Sequence, residues 1–238
     1  MIKQLICILL SLQTFNCFNI AECSIAVDKN LAKDTKSMIE VEVRFHLPEE
    51  KREHFLGNAI FISESSFTDT YYDTQDYALS IQDVWLRTRG SKFVLKVPAT
   101  HANTFTFDTT SPMHEIEDEM EIRKCLGIQE KSDIKRDIES HGYKPLYTFT
   151  STRRKYKKDG FSIDVDHVDY KFFTYDICEV EVMVESKNQV QETLQKIHSF
   201  VAKHGITIQP IDGKLIYLMK RVNPEHFRIL QKTNDSAK

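Results

Sequence analysis

The sequence predicts an α+β protein, a closed antiparallel β-barrel with charges turned inward and helices packed outside. Three observations carry this reading. Charged and apolar residues alternate in short runs, so each run reads as a strand with one charged and one apolar face. The charges on those runs sort by sign into carboxylates and cations. Between the runs lie segments in which apolar residues recur at helical spacing.

The first run sets the pattern. In residues 38–45, Glu40, Glu42 and Arg44 point one way, while Ile39, Val41, Val43 and Phe45 point the other. The alternation recurs in 84–89 with Arg87 and Arg89, in 161–166 with Asp164 and Asp166, and in 177–182 with Glu179 and Glu181. Lys96 and Lys214 stand among apolar neighbours in two further predicted strands, 92–97 and 214–220. A half-exposed sheet also alternates charged and apolar residues, so one such run decides nothing. Repetition and pairing by sign favour closure: charges turned into a barrel would form acidic and basic sectors, suited to a polyphosphate and a hard divalent cation.

The remaining elements follow from local signals. Residues 47–55 read as a short helix, and 59–63 and 67–72 as two strands around Asp69, Tyr71 and Tyr72. Gly90-Ser91 turns a hairpin between the strand of Trp85, Arg87 and Arg89 and that of Lys96. Residues 103–109 read as a strand with Asp108 as its charge, and 114–127 and 132–141 as helices. A long strand at 144–156 carries Arg153, Arg154 and Lys155, which alternation keeps from facing one way. Asp169 falls on a loop, Asn188 caps a helix through His204, and Pro224 opens a closing helix.

Composition bounds the function. The chain has 238 residues, 41% hydrophobic and 28% charged, with a formal charge of −3 spread without a basic block, which fits one soluble domain and argues against nucleic acid as partner. Residues 1–26 read either as a secretory signal or as a dispensable extension, too short and interrupted for a transmembrane helix, and 27–37 as a linker. Cys125 and Cys178 show neither disulfide nor metal spacing.

The ordered set Glu40-Val-Glu42 with Arg44, Asp69-Thr-Tyr-Tyr-Asp-Thr74, Trp85-Leu-Arg-Thr-Arg89, Leu95-Lys-Val-Pro98, Glu179-Val-Glu181 and Lys214-Leu-Ile-Tyr-Leu218 resembles the CYTH superfamily of triphosphate tunnel metalloenzymes, in its thiamine-triphosphatase branch. The resemblance implies a tunnel of about eight strands over residues 38–232, with 233–238 as a tail. It implies metal-dependent hydrolysis of thiamine triphosphate to thiamine diphosphate and phosphate. Arg44 and Lys96 would be catalytic; Arg44, Tyr71, Trp85, Arg87, Arg89, Lys96, Arg153 and Lys214 would bind substrate. Glu40, Glu42, Asp164, Glu179 and Glu181 would hold Mg²⁺, with Mn²⁺ as alternative, and Asp166 would contribute less. It also implies a cytoplasmic monomer, or a secreted one if the first residues are a signal. Inorganic tripolyphosphatase, class IV adenylate cyclase and a non-catalytic phosphate-binding module stay open as alternatives. Arg44 departs from the lysine of the family signature, keeping the charge on a bulkier, planar head.

Overall fold

The computed structural model describes residues 38–99, 112–129 and 131–236. The expectations for the segment before Met38 and for a strand at 103–109 lie outside the described residues. Eight strands form a closed antiparallel barrel in the order β1-β5-β4-β3-β2-β6-β7-β8. They are β1 (Ile39–Phe45), β2 (Ile60–Asp73), β3 (Trp85–Arg89), β4 (Lys92–Pro98), β5 (Met113–Ile116), β6 (Lys144–Lys158), β7 (Phe161–Asp169) and β8 (Thr174–Val184). Six helices accompany them among the described residues: α1 (Glu49–Leu56), α2 (Glu119–Leu126), α3 (Ile134–Ser140), α4 (Val190–Lys203), α5 (Lys214–Val222) and α6 (Pro224–Ser236).

Two of the apolar clusters lie outside the barrel wall. Ile39, Val41, Val43 and Phe45 are buried with Phe55 of α1 and Ile197, Phe200 and Val201 of α4. Leu86, Leu95 and Val97 are buried with Ile122 and Leu126 of α2 and Ile138 of α3. The opposite strand faces are thereby turned into the lumen, as the period-2 alternation requires. A third cluster closes one end: Leu215, Leu218 and Met219 of α5 and Leu230 of α6 pack with Tyr147, Phe149, Val168 and Ile177 of the wall.

Five sequence expectations change. The two strands expected at 59–63 and 67–72 are one, β2, paired with β6 along its length and with β3 only from Asp69 to Tyr72. Residues 113–116 are a strand, since β5 pairs with β4 and β1 before α2 begins, and non-local pairing overrides the helical spacing. Residues 214–220 are helical: Leu215, Leu218 and Met219 are buried at i, i+3 and i+4, a period of 3.6 that the short apolar run concealed. Asp169 ends β7 opposite Thr174. Ser186, not Asn188, starts the α4 segment, through a capping box with Gln189 that opens a short 3₁₀ turn.

His226 fastens α6 to the barrel. Its ring is 1% exposed, with Nε2 2.8 Å from Ser80 Oγ and Nδ1 2.7 Å from the Tyr147 hydroxyl. Tyr77 stacks on it at 3.6 Å. Burial pushes its pKa down to about 4, so it is neutral in the fold, whereas the unfolded chain binds a proton below about 6.5. The stability that depends on the neutral ring is full above about pH 6.5 and is lost as pH falls toward 4. Wild type should therefore exceed His226→Gln in urea-unfolding stability by about 2.5 kcal/mol less at pH 4.5 than at pH 7. An equal difference at both pH values would mean that the ring takes up its proton in the fold as readily as in the unfolded chain.

Candidate active site in the barrel lumen

Each lumen charge is delivered by alternation along a strand and met by a charge from another strand. β1 supplies Glu40, Glu42 and Arg44; its partner β8 sets Glu181 opposite Glu42 and Glu179 opposite Arg44. β7 sets Asp164 opposite Glu179, and β6 sets Arg153 opposite Asp166 and Lys155 opposite Asp164. The register juxtaposes carboxylates and cations around the wall.

Two networks result. In the first, Arg153 donates to Asp166 through Nε at 2.8 Å and Nη2 at 2.7 Å, and to Glu179 at 2.9 Å. Lys214, from the first turn of α5, reaches the same Asp166 and donates to Glu179 at 3.0 Å. Lys155 pairs with Glu181 at 3.2 Å and Asp164 at 3.5 Å. In the second, Lys96 lies 2.9 Å from Glu40 and 2.7 Å from Glu115, and Arg87 reaches Glu115 at 3.2 Å and Asp69 at 3.5 Å. Arg89 holds Asp69 through Nε and Nη2, both at 2.8 Å. Phe67 stands between the two networks, with Arg89 Cζ 4.0 Å and Arg153 Cζ 5.5 Å from its ring centroid, both within cation–π range. Arg44 grips Glu42, its Nε at 2.8 Å and Nη2 at 2.6 Å.

These neighbours set the protonation states. For Glu179, burial opposes ionisation, but Lys214, Arg153 and Arg44 together overcome it and hold the carboxyl well below the usual range. Burial raises Glu40 to about 7 against the attraction of Lys96, and the nearby Glu42 and Glu115 add to the rise. Asp164 is raised to about 6, again by burial, with Arg153 opposing. Both rises have burial as their largest cause, so they mark the cost of holding a carboxylate charge away from water.

The donor chemistry fits a hard divalent ion. Glu40, Glu42 and Glu181 bring oxygens from neighbouring strands, and the buried Asp164 oxygens lack a partner in hydrogen-bond geometry, although Arg153 and Lys155 meet them as ion pairs. Among the described residues, no three carboxylate, histidine or cysteine side chains stand close enough to hold an ion as they are.

The lumen brings together Glu40, Glu42, Arg44, Arg87, Arg89, Lys96, Arg153, Asp164, Glu179, Glu181 and Lys214. Lys214 arrives from a helix rather than a strand, and Asp166, the weaker expectation, is central because it binds both Arg153 and Lys214. Arg154 points outward to Glu64, as expected. Tyr71 and Trp85 lie at the apolar end and pack against the cluster formed with α5; Trp85 Nε1 donates to Asp83 Oδ1 at 2.8 Å. Sequence reasoning missed Asp69, Lys155 and Glu115. Asp69 shares a face with Tyr71 and Lys155 with Arg153, so alternation could have found both. Glu115 carried no such signal inside a segment with helical spacing.

Comparison with known proteins agrees with this architecture. The CYTH domain family matches residues 38–207. Thiamine-triphosphatase of Macaca fascicularis is 28% identical over 219 residues, covering 84% of this chain and 93% of that protein. The Homo sapiens protein of the same name is 27% identical with the same coverage. Among solved structures, the PH1819 protein of Pyrococcus horikoshii OT3 is similar with a TM-score of 0.53 at 21% identity, covering 76% of this chain and 99% of that one, a likeness of fold.

A buried carboxylate facing two cations differs energetically from an exposed one facing a single cation. Asp166→Ala leaves Arg153 and Lys214 short of a counter-charge and should cost on the order of 3 kcal/mol. Glu64→Ala, which removes the solvated partner of Arg154, should stay within about 0.5 kcal/mol. Urea denaturation of both variants checks the contrast, and equal costs would mean that the lumen network is as solvated as the surface.

Proposed function

The chain belongs to the CYTH domain family, and we propose that it hydrolyses the terminal phosphoanhydride of a triphosphate, with thiamine triphosphate as substrate and thiamine diphosphate and phosphate as products. The observation that carries this reading is the convergence of Arg87, Arg89, Lys96, Arg153 and Lys214 on one lumen, each beside a carboxylate and all but the half-buried Arg89 largely withdrawn from water. The thiamine-triphosphatase name of two relatives at 28% and 27% identity supports the choice of substrate.

In this reading a polyphosphate enters as a substitute counter-anion. Its oxygens take the place of carboxylate partners on the arginines and lysines, so the cations need little reorganisation when charge develops on the transferred phosphoryl group. The planar forks of Arg87, Arg89 and Arg153 suit bidentate contact and fix the chain of phosphates. Arg44 and Lys96, beside the acidic strands, act on the terminal phosphate, where they stabilise the charge of the in-line attack by water. Glu40, Glu42, Asp164, Glu179 and Glu181 would hold Mg²⁺ or Mn²⁺, which supplies charge neutralisation at the phosphate oxygens. Tyr71 and Trp85, at the apolar end, offer aromatic surface to the organic part of the substrate.

A second reading has its own observation. Trp85 is already engaged by Asp83 and packed against the α5 cluster, and a ring so occupied would leave inorganic tripolyphosphate as the substrate. A panel of thiamine triphosphate, tripolyphosphate and ATP separates the two, with Trp85→Ala as the discriminating variant. The expected outcome is a KM for thiamine triphosphate raised about tenfold, corresponding to loss of one aromatic contact, with tripolyphosphate unaffected. If wild type prefers tripolyphosphate and ignores the substitution, the organic half of the assignment fails.

Chelation with EDTA should abolish turnover and Mg²⁺ restore it. Glu40→Gln keeps the shape of the side chain but not the anion that a hard cation needs, so the Mg²⁺ concentration for half-activation should rise about tenfold or more. Activity that survives both chelation and this change would remove the metal from the mechanism.

A further inference from the structure

Gly213 is the N-cap of α5, with φ −64° and ψ 159°. Any L-residue adopts that backbone, so conformation does not call for glycine here. Nor does capping: Ser, Thr, Asp or Asn would offer an oxygen to the free N–H groups of the first turn, and this cap makes no side-chain bond. What the position does require is space. A Cβ at 213 would stand 2.9 Å from Arg44 Nη1 and 3.6 Å from Arg44 Cζ.

The guanidinium is thus confined on two sides. Glu42 holds it through Nε at 2.8 Å and Nη2 at 2.6 Å, and on the other side Nη1 takes up the space that a Cβ at 213 would need. We infer that Gly213 is a positioning residue for Arg44: the missing Cβ at the α5 N-cap sets where the arginine fork sits in the lumen, and the two residues form a matched pair. A lysine side chain ends where Arg44 has Cζ, at ordinary contact distance from the same Cβ, so position 213 constrains arginine and not lysine. The crowded atom is the far end of a flexible side chain, so a Cβ shifts the guanidinium instead of straining the fold. Rate and stability therefore separate. The inference rests on the proposed hydrolysis for the effect on rate, but not for the displacement itself.

The test makes Gly213→Ala and Gly213→Ser in the full chain, each with Arg44 and with Arg44→Lys. Thermal midpoints, kcat and KM on tripolyphosphate and thiamine triphosphate with Mg²⁺, and the Arg44 Nε–H NMR signal, identified by its loss in Arg44→Lys, are the readouts. With Arg44 present, both substitutions should move the Nε–H signal and lower kcat by about 10- to 100-fold, as expected for a displacement near an ångström. KM should change less, because Arg87, Arg89, Arg153 and Lys214 still hold the phosphates. With Arg44→Lys, the same changes at 213 should alter kcat by no more than about threefold, since the clash is gone. Gly213→Ser supplies a capping hydroxyl and should keep or raise the thermal midpoint while losing as much activity as alanine, which a merely structural role would not produce. An unmoved Nε–H signal, unchanged kcat beside Arg44, or an equal loss in both backgrounds would overturn the pairing. If wild type hydrolyses no triphosphate, the proposed function fails and the Nε–H signal alone decides on Gly213.

Discussion

A charge removed from water has to meet an opposite charge, and that constraint organises the molecule. The barrel carries its apolar side chains on the outside, under helices, and turns its carboxylates and cations inward. Such an interior would be prohibitively unstable if the charges were independent; the cross-strand register makes them partners, placing Glu179 beside Arg44 and Asp166 beside Arg153. Register is therefore the feature on which both stability and site depend, since a slip of one residue in a strand would turn that strand's lumen charges to the outer face.

The same networks give the lumen its chemical character. Cations already desolvated beside carboxylates can exchange one set of oxygens for another without being stripped of water again. The carboxylates are not equivalent: Glu179, surrounded by Lys214, Arg153 and Arg44, is held firmly ionised, whereas burial and the proximity of Glu42 and Glu115 raise Glu40 to about 7. Each network nonetheless matches its carboxylates with cations, Arg153, Lys155 and Lys214 in one and Arg87, Arg89 and Lys96 in the other, and burial is the largest cause of the Glu40 rise.

Closure at one end adds a second kind of environment. Helices α5 and α6 bring Leu215, Leu218, Met219 and Leu230 against the wall and deliver Lys214 at the boundary between apolar plug and polar lumen. His226 secures α6 through Ser80 and Tyr147, and the chain it binds runs directly on to Asp83 and Trp85. The aromatic end of the lumen is in this way tied to the carboxy-terminal helices.

Period-2 alternation by itself determined that Glu40, Glu42 and Arg44 share one face, that Arg87 and Arg89 share another, and that Arg153 and Arg154 point apart, because the pleat of a strand is a local property. It could also have shown that Asp69 and Lys155 lie beside residues already singled out. Only the tertiary structure decided that residues 214–220 are a helix, since the five-residue apolar run at 215–219 satisfies both periods until its burial partners are known. Only non-local pairing made a strand of Met113–Ile116 and so brought Glu115 between Arg87 and Lys96. The contact of Arg44 with Gly213, which are 169 positions apart in the chain, has no local signature at all. Which face a side chain takes is set by its neighbours in sequence; which charge it meets is set by how the strands close.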